Sequence, residues 1–153
     1  MRDGRDLAAR GAVARGSLCG GLCLGPVNTA AVHALGYPLG GEFHLAHGVS
    51  NALLLTHVLR FNLPAAPDRY AAIARAVGAT DGHDDRETAE RGLALLDRLC
   101  TDCGIPRKLS ALGIPADAIP RMAKSALTVQ RLLKNNPREV TLADAEQIYR
   151  DAF

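Results

Sequence analysis

The chain has 153 residues, of which 48% are hydrophobic and 22% charged, with a formal net charge of +2. That balance suits one globular domain with a real core, and no Lys/Arg tract carries interleaved aromatics, so nothing argues for nucleic acid and none is expected as a partner. Aromatic residues make up only 4% and Trp is absent, which leaves the core to Ala, Leu, Val and Ile in closely packed helices.

Nearly every segment has a helical period, and no stretch alternates as a half-buried strand does. A first helix is predicted from about Asp6 to Leu24, ending at Gly25-Pro26. Its early arginines alternate with Asp3 and Asp6 and read as a solvated face rather than a basic arm. Residues 16–41 contain no Asp, Glu, Lys or Arg. A membrane span is disfavoured because the many glycines, Pro26, Asn28, Thr29, His33 and Pro38 are costly in lipid. A buried pair of core helices is expected instead. Nor does the start read as a signal peptide, so the chain is expected to be cytoplasmic. Cys19 and Cys23, four apart in this segment, are expected as small buried hydrophobes.

Asn28 or Thr29 is the expected N-cap of a second helix carrying Val32, His33 and Leu35. Gly36, Pro38, Gly40 and Gly41 predict a glycine-rich turn after it. A third helix then begins near Ala46 and runs to about Phe61, stopped by Asn62 and Pro64. Pro67-Asp68 opens a fourth, closed by Gly78. A polar loop holding an exposed His83 leads to Asp84 and Glu87, a capping-box pattern for a helix through Leu99. Cys100-x-x-Cys103 ends that helix. It has no second C-x-x-C or βαβ context, so it does not read as a zinc or redox site. A short helix near Lys108 to Leu112, one from Asp117 to about Leu133, and a last one capped by Thr141-x-x-Asp144 complete an all-α bundle of seven or eight helices.

The five histidines carry the chemistry. His33 and His47 lie fourteen residues apart around the glycine-rich stretch, so two adjacent helices can turn both imidazoles toward one point, as a metal site requires. His44 is close enough to join them. His57 points about a quarter-turn away from His47 at ~100° per residue and does not share the site. Tyr37 shares a helix face with His33. Spacing alone leaves a metal site and a pair of structural histidines equally open.

The stretch GPVNTAAVHALGYPLGGEFHLAHGVSNALLLTHVLRFN, from Gly25 to Asn62, resembles the signature of the iron-containing (group III) alcohol dehydrogenases. GIPRKLSALGIPADAIPRMAKSAL and NNPREVTLADAEQIY follow in the order that family has them. The resemblance implies the C-terminal, helical half of the family fold, here a single helical metal-binding domain over residues 1–153. It also implies Fe(II) or Zn(II) held by one Asp and three His, the last two of which match His33 and His47. The family's D-x-x-x-H and its glycine-rich nucleotide-binding domain have no counterpart in this sequence.

The implied activity is NAD(P)-linked interconversion of small alcohols with aldehydes or ketones, by metal-assisted hydride transfer. Tyr37 stands where many relatives carry a histidine near the nicotinamide, and Thr56 where Pro is common. The implied partners are an alcohol or aldehyde substrate and either the N-terminal domain or further copies of the chain. The surface meeting that domain is expected to be apolar and glycine-rich, including Gly36 to Gly41. The other reading is a non-catalytic helical interaction module descended from the same family.

Overall fold

A computed structural model describes residues 3–153, and within them the chain is helical without strands. Eight α-helices follow in order: α1 (Leu7–Val27), α2 (Ala31–Phe43), α3 (His47–Asn62), α4 (Pro67–Ala76), α5 (Asp85–Asp102), α6 (Ile119–Leu127), α7 (Gln130–Leu133) and α8 (Leu142–Asp151). The main core forms where α2, α3, α6 and α8 meet around Leu35, Leu39, Leu53, Leu54, Met122, Ile148 and Tyr149. Small residues at Ala31, Ala34, Ala123, Ala126 and Ala145 let these helices approach closely. The Tyr149 hydroxyl is buried and donates to the Leu35 carbonyl at 2.6 Å, a partner such a group needs in a dry interior. Burial pushes its pKa far up. The α4–α5 hairpin forms a second, smaller cluster around Leu63, Ala89 and Leu93.

The capping signals of α5 and α8 are obeyed, whereas α2 starts from Ala30 without a side-chain cap. Thr141 and Asp144 make a reciprocal capping box at α8, and Asp84 caps α5 by accepting from the Glu87 amide at 2.8 Å. The Glu87 carboxylate reaches back one residue further than a box requires, to the His83 amide at 2.6 Å. The helix expected from Asp117 to Leu133 is instead broken after Leu127. The Thr128 hydroxyl donates to the Ser125 carbonyl at 2.7 Å, and such local bonds compete with helix propagation.

Two larger departures bear on function. The predicted glycine-rich turn is helix: α2 runs straight through Gly36, Pro38, Gly40 and Gly41 to Phe43. Its buried positions Ala31, Ala34, Leu35, Pro38 and Leu39 keep the i, i+3, i+4, i+7, i+8 pattern. Burial of that stripe outweighs the poor propensities of Gly and Pro. The reversal comes later, at His44, whose left-handed backbone (φ 55°) ends the helix; Leu45 then bonds back to the Leu39 carbonyl at 3.1 Å.

The second departure is α1. It extends through Pro26 to Val27, and Asn28, with φ 66°, is its C-cap rather than the N-cap of α2. The expected buried pair of helices is therefore only half present. α2 is buried, but α1 buries no residue and leaves α2 at 104°. Cys19 and Cys23 are exposed with it, against the expectation of buried thiols. No single described helix is long and apolar enough to cross a membrane.

Candidate metal centre

His33 lies in the first turn of α2 and His47 is the first residue of α3. Because α2 continues past the predicted turn, His33 stands a full helix away from the reversal. It still meets His47, because the 44–46 segment doubles back and α3 then crosses α2 at Gly36. A Cβ added at Gly36 would lie 2.6 Å from the Asn51 Oδ1 atom, so glycine there leaves room for the Asn51 carboxamide. The two imidazole centroids are 5.1 Å apart with the rings tilted by 56°.

His33 is partly buried and His47 exposed. Burial, and then the neighbouring His47, lower the pKa of His33, which favours the neutral ring with a free lone pair. His47 is held from below by Asn51, one turn on, whose Nδ2 lies 3.0 Å from His47 Nε2. The other end of that carboxamide, Oδ1, is buried without a hydrogen-bond partner. Asn51 was missed in the sequence; its only signal is the i, i+4 relation to His47 on one helix face.

Tyr37 joins the same face, its ring centroid 6.5 Å from that of His47. Its hydroxyl lies 3.4 Å from an Arg131 guanidinium nitrogen on α7, a contact across the fold that no local pattern signals. The remaining histidines stand apart. His44 is an exposed helix cap, His83 is exposed in its loop, and His57 faces a separate small pocket with Asp144 and Asp151. Among the described residues no third His, Cys, Asp or Glu gathers at the pair. Cys100 is buried and Cys103 exposed.

Beside His33 opens a cleft of about 560 Å³. Its walls are mainly apolar, from Ala31, Val32, Leu55, Val58 and Leu59. Polar groups enter from Asn51, Tyr70 and the paired carboxamides of Asn62 and Asn136, which exchange hydrogen bonds at 2.9 and 2.7 Å. An apolar cleft with a few convergent polar groups is the usual form of a small-molecule site.

A family model described as "Fe-containing alcohol dehydrogenase family, C-terminal" matches residues 1–153. Long-chain-alcohol dehydrogenase 1 of Geobacillus thermodenitrificans is 40% identical over 154 residues, which covers 100% of this chain and 39% of that protein. A 1,3-propanediol dehydrogenase of Citrobacter freundii is 39% identical over 98% of this chain, again 39% of its own length. Among solved structures, an alcohol dehydrogenase from Oenococcus oeni superposes with a TM-score of 0.94 at 34% identity, over 99% of this chain and 39% of that one. The chain thus spans about two fifths of the length of the relatives it matches.

Proposed function

The chain belongs to the iron-containing alcohol dehydrogenase family, by its C-terminal domain, and from that membership we propose that it forms the helical part of an NAD(P)-linked alcohol dehydrogenase, with His33 and His47 as two protein ligands of a divalent metal. The observation that carries the reading is the convergence of two imidazoles from different helices beside an apolar cleft. Imidazole nitrogen suits Fe(II) and Zn(II), so the donors present fit such a metal as half of its set.

A metal held by His33 and His47 would supply Lewis acidity toward the oxygen of a small alcohol or aldehyde, and NAD(P) would supply the hydride chemistry from outside the matched region. The residues of this chain do the positioning. Partial burial of His33 favours its neutral ring. Asn51 fixes the rotation of the His47 ring, as outer groups around metal ligands commonly do. The apolar walls of the cleft limit water beside His33. The Tyr37 hydroxyl, braced by Arg131, orients substrate or passes a proton. We further propose a cytoplasmic setting, with which four free cysteines accord.

Zinc titration of the purified chain, followed by NMR of the histidine rings, tests this. His33 and His47 signals should move together while His57 and His83 stay put, and His33→Ala or His47→Ala should abolish the response. Equal zinc binding by both variants would overturn the assignment. With two ligands the affinity is weak, and the isolated chain is expected to show no NAD(P)H-dependent aldehyde reduction.

A further inference from the structure

Helix α1 is apolar on two opposite sides and touched on neither. Leu7, Leu18 and Leu22 line one side, and Val13, Leu24 and Val27 the other, at 100° per residue. Each is exposed, Leu18 by 63% and Leu22 by 69%. From Gly16 to Val27 the helix carries no charged residue. A helix that is apolar all round belongs inside a protein. Five glycines within it lower its intrinsic stability, and a methyl group on Gly16, Gly20, Gly21 or Gly25 would meet no neighbour among the described residues. Neither propensity nor packing within this chain accounts for α1.

The placement of α1 is shared with one solved relative all the same. A superposition on the Oenococcus oeni enzyme that spans 99% of this chain includes α1, and it does so within a protein of which this chain matches only 39%. The bare helix also ends at Asn28, Thr29 and Ala30, which line the cleft beside His33, so the two uncovered surfaces are continuous. Two copies pairing through α1 would cover one side and leave the other wet.

We propose that α1 is the docking helix for an apolar stretch of polypeptide from the part of these enzymes outside the matched region, which clasps both sides of α1 and walls in the cleft. This surface adds to the expected Gly36–Gly41 region, of which Gly36 is buried against Asn51 while Gly41 is exposed. The proposal rests on the reading of the chain as part of a larger dehydrogenase, but its test is separate from metal binding.

Cys19 and Cys23 are the probes, with exposed Cys103 as the internal control. The chain is labelled with a maleimide alone and after mixing with the unmatched portion of the Geobacillus thermodenitrificans enzyme, and labelling is read by mass spectrometry. Docking should slow Cys19 and Cys23 by about tenfold or more and leave Cys103 unchanged. A Leu18→Asp/Leu22→Asp variant should lose that protection while the helical signal of the remaining body persists. A single-chain fusion of the two parts guards against failure of the added portion to fold by itself. Unchanged labelling of Cys19 and Cys23 in the fusion would overturn the proposal, as would protection of the lone chain that rises with its own concentration and marks a second copy on α1. Protection without any zinc response at His33 and His47 would keep the docking helix and sink the metal reading; the reverse result would do the opposite.

Discussion

Asn51 holds His47 by a 3.0 Å contact between their side-chain nitrogens, while its own oxygen is pressed toward Gly36 on the neighbouring helix. The α2–α3 crossing and the orientation of one imidazole are therefore a single mechanical unit. Any change to the crossing is felt at the ring.

Asn51→Ala should leave the fold intact and free the His47 ring. Zinc affinity is expected to fall by roughly 10–100-fold, the usual effect of removing an orienting neighbour of a metal ligand. Gly36→Ala should act in the same direction by displacing the Asn51 carboxamide. Isothermal titration checks both, and unaltered affinity in both variants would remove Asn51 from the site.

Gly92 on α5 packs against α4 so closely that a Cβ there would lie 2.3 Å from the Ala74 Cβ. Gly92→Ala should destabilise the chain by about 1–3 kcal/mol through overpacking, read as a lowered urea midpoint. Gly20→Ala on α1, with open space around it, should not destabilise.

Thr56 is fully buried, donates to Asp97 at 2.6 Å and accepts from Arg107 at 2.8 Å. Arg107 also pairs with Asp97 and donates to the Ala52 carbonyl at 3.2 Å. Burial opposes ionisation of Asp97, but the Thr56 hydroxyl and the two arginines outweigh it and hold its pKa low. Thr56→Val keeps the shape and removes the hydroxyl, and it should cost about 1–3 kcal/mol with no change in zinc binding. Chemical denaturation of the variant decides the first point and titration the second.

Thr141 hydrogen-bonds the Asp144 carboxylate, which lowers the Asp144 pKa. A depressed folded-state pKa contributes stability above the unfolded value, near ~3.9, that is lost as pH falls through the folded value. Thr141→Ala should cost about 0.5–2 kcal/mol at neutral pH. The gap from wild type should narrow below about pH 4. A pH series of melting temperatures measures it, and a constant gap would assign the loss to something other than this carboxylate.

Much of the fold was legible without coordinates. The limits of α3, the caps of α5 and α8 and the apolar character of the core follow from periodicity and capping, which act over one or two turns. The pairing of His33 with His47 was legible as a spacing, and Tyr37 as their neighbour. The family resemblance in Gly25 to Asn62 agrees with the match over residues 1–153. The identity of the turn between the two histidines was misread, because Gly and Pro signal breaks only when nothing buries them. In α2 the packed stripe from Ala31 to Leu39 overrides them.

What the sequence determined by itself was the all-α class, most helix ends and the candidate ligand pair, since each depends on residues near one another in the chain. Tertiary structure alone decided that α2 runs unbroken, that Asn51 and Arg131 brace His47 and Tyr37, and that α1 is left bare. Those outcomes depend on which surfaces meet across long stretches of chain, and contact between distant segments leaves no local mark in the order of residues.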